Sequence, residues 1–337
     1  VSAAATPHWF PQRYDAASDS VLLVQRSEAD FRAAAFLDER SLTPATPSHL
    51  VPWATVAGAV PADARRDIQY IFHIGHVGST LISRLLGELP EVLALREPQI
   101  LRDFAACLAE GLWEPTSIPA RLDSLTALLS RTFRPEQRTM AKATSFVSEI
   151  AADLVPAGSR ALLLFASAEA YLGNIFGGPN SRREMAATAA DRFERLRRRT
   201  GDRRWSLARL SEGEVVAMAW ACEMSSLVQA AQLLGEERVM WLDFDAFLAE
   251  PGSWLGRLPD FFAVDASAAE ALATHPLMGR YSKAPEYEYD AALREAVLAE
   301  ARREHGAAIA EGLRWLERAA GESDTVARCL DAAAATG

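Results

Sequence analysis

Two hydrophobic patterns alternate along the chain from Ile68 onward. Short runs in which most positions are apolar, "IQYIFHIG", "VLALRE", "TMAKAT", "RALLLFAS" and "RVMWLDFD", are separated by stretches with helical periodicity such as "STLISRLLGEL", "SFVSEIAADL" and "EAYLGNIF". The runs predict strands covered on both faces, and helical crossovers between such strands make the sheet parallel. The expected fold class is α/β, three layers around a central parallel sheet.

Ahead of this region, "SVLLVQ" predicts a short strand, "EADFRAAAFLDER" a helix and "LTPATPSHLVPW" a proline-broken loop. Residues 1–66 therefore read as an N-terminal extension packing on the core. Beyond Ser181 helix dominates: an arginine-rich segment up to Arg204, an apolar helix through "EVVAMAWACEMSSLVQAAQLL", and a long helix from about residue 291 to residue 320. Alanine-rich stretches are good helix formers. Residues 67–337 are expected to form an α/β domain with a helical insertion at about 180–235 and a helical C-terminal part.

Composition narrows the function classes. A chain of 337 residues with 50% hydrophobic and 24% charged residues has an ordinary globular balance and can bury a substantial core. Its formal net charge of -10, from 35 basic and 45 acidic side chains, argues against sequence-independent nucleic-acid binding. Any anionic ligand must meet a local positive patch. Cys107, Cys222 and Cys329 are far apart and odd in number, so neither a disulfide framework nor a zinc site is indicated, and a reducing compartment is expected. No apolar run approaches the roughly 18 to 20 residues that span a bilayer. The opening "VSAAATPHWFPQRYD" has no apolar core flanked by positive charge, so a cytoplasmic location is expected.

The candidate chemistry starts after the first predicted parallel strand. Gly75, His76, Val77, Gly78, Ser79 and Thr80 lead into an amphipathic helix, the strand, glycine turn and helix order that phosphate sites use. Glycines let backbone N–H groups face one point, the helix N-terminus adds roughly half a positive charge, and two hydroxyls add donors. A side chain at Gly78 would fall where the backbone must approach the ligand. The alternative is a tight turn in which Ser79 or Thr80 caps the helix. An ATP-type loop requires lysine directly after the second glycine, whereas Ser79 follows Gly78.

The segment "IFHIGHVGSTLISRLLGELPEVLALREP" resembles the opening of the P-loop-fold sulfotransferases, bacterial members included. The resemblance implies a P-loop NTPase-like fold and 3'-phosphoadenosine-5'-phosphosulfate as co-substrate, with no metal. His76, Val77, Gly78, Ser79 and Thr80 fit the spacing of the family loop (K/R)-S-G-T-T, which holds the 5'-phosphosulfate. His76 stands where that family has lysine or arginine, and an ordinary imidazole is only partly charged near neutrality.

The same resemblance assigns further roles. Glu97, in "VLALREP", matches the glutamate that accepts the acceptor's proton; otherwise it is a partner of Arg96 or a surface charge. Lys142, in "AKATS", matches a lysine directed into the crevice, or is a strand-end surface residue. The family's 3'-phosphate pair, an arginine after the fourth strand and a later serine, is replaced by Ala166 and Asn174. Arg182 and Arg183 after "GGPNS", and Arg280, Tyr281, Ser282 and Lys283 in "GRYSKAPEY", are the candidate replacements, guanidinium giving bidentate contacts.

Other charged groups have simpler readings. The arginines between Asp191 and Arg204 suggest an acidic partner, a lid over an anion, or a face paired with the chain's own acids. Asp245 is expected to cap a helix, and His73 to be a core histidine. His275 and His305 carry no signal.

The resulting expectation is transfer of a sulfuryl group to a hydroxyl or amine acceptor. Residues 76–80 hold the donor, His76 and Lys142 offset charge on the bridging oxygen, and Glu97 takes the proton. The expected partners are an anionic nucleotide donor and an acceptor for which the chain carries no signature. Two rivals share the fold, an ATP-dependent phosphotransferase and a noncatalytic nucleotide-binding accessory protein. Nucleotide preference separates all three.

Overall fold

The computed structural model describes residues 6–201, 205–265, 267, 269–280 and 290–336. At its N-terminal end, β1 (Trp9–Asp15), β2 (Ser20–Gln25) and β3 (Ser48–Pro52) form an antiparallel sheet in that order, with α1 (Glu28–Ala33) and α2 (Trp53–Gly58) attached. Two of these strands lie where the sequence predicts none. β1 carries Pro11, which an edge strand tolerates because its N–H side needs no partner, and the register shifts between Pro11 and Arg13. β3 occupies the end of the expected proline-broken loop. The sheet docks through Tyr14, whose ring meets Phe104 at 5.3 Å and Trp113 at 5.6 Å, and whose N–H donates to Asp103 at 2.8 Å.

α1 is shorter than its sequence pattern because a distant side chain ends it. Arg96 is buried and donates to the carbonyls of Phe31 (2.5 Å), Arg32 (2.8 Å) and Ala34 (2.7 Å). Those orphan carbonyls are satisfied by the guanidinium instead of by a further turn. The chain then bends at residues 35, 37 and 38 before a 3-10 turn, Glu39–Ser41.

All five predicted parallel strands are present: β4 (Gln69–His73), β5 (Val92–Arg96), β6 (Arg138–Lys142), β7 (Ala161–Phe165) and β8 (Val239–Asp243). Their order is β5-β6-β4-β7-β8, so the strand that comes first along the chain lies at the centre. The helices that follow are α3 (Ser79–Leu86), α4 (Gln99–Ala109), α5 (Ile118–Leu129), α6 (Ala151–Leu154), α7 (Ala168–Phe176), α8 (Pro179–Thr200) and α9 (Glu212–Leu234). With right-handed crossovers, the step from β4 outward to β5 puts α3 on one face, and the return steps put the connections between β5 and β8 on the other. The result is the expected three-layer α/β arrangement, with the carboxyl end of β4 at the point where the strand order reverses. Ligand crevices form there in open parallel sheets. The stretch "SFVSEIAADL" departs from expectation only in kind, being a 3-10 turn, Ser145–Ile150, before α6.

After β8 come α10 (Phe244–Ala249), α11 (Pro251–Phe262), α12 (Ala269–Leu272), α13 (Ala291–Glu322) and α14 (Asp324–Thr336). α13 bends at His305, whose backbone is non-helical and whose ring stacks on Phe176 at 5.2 Å. Its second half lies so close to α9 that a Cβ on Gly213 would sit 2.0 Å from the Ala308 carbonyl oxygen. Gly213→Ala is therefore expected to destabilise the fold, since overpacking costs about 1–3 kcal/mol against roughly 1 kcal/mol of gained helix propensity. A urea midpoint equal to that of the unaltered chain would mean that the two helices do not approach this closely. Among the described residues, no helix is long and apolar enough to cross a membrane.

Candidate functional site

The loop after β4 takes a conformation that its glycines make accessible. Gly75 (φ +84°), His76 (+54°) and Gly78 (+67°) all lie in the left-handed region, which costs most residues of order 1–3 kcal/mol when they have a Cβ. Two braces hold the turn. His73 Nδ1 accepts the Gly75 N–H at 2.9 Å, and Asn174 Nδ2 donates to the His76 carbonyl at 2.6 Å. His73 is thus buried and bonded, and sits on the cavity wall rather than deep in the core.

Gly78, not Ser79 or Thr80, is the N-cap of α3, and it makes no side-chain capping bond. The first-turn N–H groups therefore lack intrahelical partners, and residues 75–81 all line one cavity of about 630 Å³. The structure adds a second need for glycine at 78. An added Cβ would lie 1.9 Å from Cε2 of Phe244, at the start of α10, so the obstacle is a packed ring.

Lys142 and Glu97 meet because β5 and β6 run parallel with Arg96 opposite Lys142, leaving the next residue of β5's chain beside the lysine. Lys142 is 1% exposed; its Nζ donates to Thr80 Oγ1 at 3.2 Å and to Glu97 Oε1. Glu97 is itself left-handed (φ +51°), with its N–H donating to the Lys142 carbonyl at 2.7 Å. The alternative partner, Arg96, is committed to α1, and burial pushes its guanidinium down to about 10. The other carboxylate oxygen of Glu97 lies 4.0 Å from Arg40 Nη2.

Arg40 belongs to the part of the site that sequence reasoning missed. Leu37 bridges the end of β5 to the start of α4, its N–H donating to Arg96 O (2.7 Å) and its carbonyl accepting from Gln99 N (3.0 Å). This draws residues 36–40 across Glu97. Phe36, Asp38 and Arg40 consequently line the cavity, as do Arg102, Arg192 and Arg294. The local signal was present in "AFLDER", an aromatic followed by an acid and an arginine, but helical periodicity absorbed it.

The remaining sequence-predicted residues divide. His76 places Nδ1 3.3 Å from Ser181 Oγ and Nε2 3.6 Å from a Glu184 carboxylate oxygen, both on α8. Arg280 lines the cavity. Arg182 instead pairs with Glu212 at 2.8 Å and Arg183 donates to Asn180, and neither reaches the cavity wall. Ser282 and Lys283, with Tyr281, lie outside the described residues. Ala166 is buried, its carbonyl accepting from Trp220 Nε1 at 3.0 Å.

The arginine-rich helix turns its basic residues inward more than expected. Arg192 and Arg195 donate to Glu223 of α9 at 2.9 and 2.8 Å, and Arg195 and Arg199 also reach Glu149. Burial pushes the Glu223 carboxyl up, but Arg195 and Arg192 more than offset it and hold the group below the usual range. Much of the arginine cluster therefore joins α8 to α9. Asp243 rather than Asp245 is the helix cap, accepting from the N–H groups of Asp245 (2.7 Å) and Ala246 (3.0 Å). Burial raises its carboxyl. Asp245 pairs instead with Arg294 of α13 at 2.8 Å. Among the described residues, no group of three or more His, Cys, Asp or Glu side chains gathers as a metal-binding set.

No family model matches the chain, and no curated protein matches it by sequence. Among solved structures it is similar to a sulfotransferase domain from the curacin biosynthetic pathway, at 15% identity over 64% of this chain and 78% of that one, with a TM-score of 0.41. It is also similar to a sulfotransferase from Mycobacterium avium, at 13% identity over 72% of this chain and 77% of the other, with a TM-score of 0.40.

Proposed function

We propose that the cavity transfers a sulfuryl group from 3'-phosphoadenosine-5'-phosphosulfate to a hydroxyl or amine acceptor. The observation that carries this reading is the position of Lys142, bonded at once to Thr80 of the glycine loop and to Glu97. One buried cation thereby joins an anion-holding loop to a carboxylate.

In this reading the N–H groups of residues 76–80 and the Ser79 and Thr80 hydroxyls hold the phosphosulfate. The acceptor oxygen or nitrogen attacks sulfur, the bond from sulfur to the bridging phosphate oxygen breaks, and its electron pair stays on that oxygen. Lys142, with His76 at the loop's edge, offsets the charge that develops there. The acceptor's proton passes to Glu97, giving the sulfated product and 3'-phosphoadenosine-5'-phosphate. Asn174 braces the loop through the His76 carbonyl, so its proposed part in donor binding is indirect. Arg280 is the proposed contact for the 3'-phosphate, in place of the arginine that Ala166 replaces.

Release of 3'-phosphoadenosine-5'-phosphate from the donor, followed with a panel of phenols, sugars and amines, tests the proposal. Release that depends on an added acceptor supports it. Turnover of ATP with magnesium and none of the phosphosulfate would replace it with a phosphotransferase.

A further inference from the structure

The wall beside Glu97 carries a charge arrangement that the transfer reaction does not use. Arg40 stacks on Phe36, its guanidinium carbon 3.7 Å from the ring centroid, while Lys142 Nζ lies 5.7 Å from the same centroid. Asp38 binds the Nε and Nη2 of Arg40; burial pushes the Asp38 carboxyl up, but Arg40, with a smaller contribution from Arg102, more than offsets it and holds the group below the usual range. Asp38 can balance one of these guanidiniums. Arg102, on the first turn of α4, is exposed and lines the cavity, and its side chain makes no hydrogen bond or ion pair among the described residues. Of the other neighbouring acids, Glu97 is held by Lys142, and Asp103 directs one oxygen to the Tyr14 N–H and the other to the Gln99 amide.

An acceptor whose proton Glu97 takes must come within hydrogen-bond reach of that carboxylate, and so against this wall. We propose that residues 36–40 and Arg102 form the acceptor subsite, and that it selects a hydroxyl compound carrying an oxyanion group, such as a carboxylate, which Arg102 and Arg40 hold while the hydroxyl faces Glu97. The guanidinium of Arg102 suits this because its planar fork can bond both oxygens of one oxyanion, while Arg40, with Nε and Nη2 taken by Asp38, adds Nη1. The assignment of the hydroxyl to Glu97 rests on the proposed sulfuryl transfer, whereas the oxyanion contact stands apart from it.

The test uses 4-hydroxybenzoate and the uncharged 4-hydroxybenzamide as probes, titrated calorimetrically into the unaltered chain, Arg102→Gln and Arg40→Gln. Each preparation is first titrated with 3'-phosphoadenosine-5'-phosphate, which alone decides the donor reading. The probes are then measured with and without that nucleotide. The expected result is that the benzoate binds more tightly than the amide, and that each variant weakens the benzoate by about tenfold, the size of one charge-assisted bond, with the amide unaffected. Equal affinity for the two probes, benzoate binding indifferent to both substitutions, or no benzoate binding would overturn the subsite, whether or not the nucleotide binds.

Discussion

Glu97→Gln is expected to lower turnover by about 100- to 10,000-fold, the usual contribution of a positioned general base, while donor affinity stays nearly unchanged. The substitution is nearly isosteric, and the new amide oxygen still accepts from Lys142, so the buried ammonium keeps a partner. The backbone conformation at φ +51° remains one that a non-glycine residue already occupies there. What disappears is the ability to take a proton. The effect should therefore fall on kcat, with the donor's KM little moved, because the carboxylate acts on the acceptor rather than on the phosphosulfate. Turnover at the rate of the unaltered chain with an identified acceptor would remove Glu97 from the mechanism.

Gly78→Ala is expected to have the second large effect, on stability and donor binding together. The left-handed backbone costs a residue with a Cβ about 1–2 kcal/mol, and overlap with Phe244 adds about 1–3 kcal/mol. Unless Phe244 moves, the loop must, and the N–H groups then no longer converge. Pairing the change with Phe244→Ala separates the causes. If the ring is the obstacle, the double variant recovers nucleotide affinity relative to Gly78→Ala. If affinity stays lost although the chain folds, the added methyl meets the ligand itself, as the sequence alone suggested.

The parallel sheet was legible because strands buried on both faces leave nearly unbroken apolar runs, as in "ALLLF" of β7. β1 was not, because its inward face includes Gln12, a buried amide that donates to the Leu37 carbonyl, and because proline obscures the strand pattern. The apolar pattern over residues 28–40 suits one long helix, but Arg96, remote in sequence, ends α1 at Ala33. Within the site, glycine spacing marked the loop, and parallel register made Glu97 and Lys142 neighbours. The wall formed by Phe36 and Arg40, the inward pairing of Arg192 and Arg195 with Glu223, and the contact of Arg294 with Asp245 all depend on tertiary partners. No periodicity in the chain encodes them.

A calorimetric titration of the chain with 3'-phosphoadenosine-5'-phosphate beside ADP and ATP with magnesium tests donor binding at the glycine loop directly. The expected result is tight binding of the bisphosphate, weaker binding of the other two, and loss of the preferred ligand in Gly78→Ala. Preference for ATP, or no binding by any of the three, would contradict it.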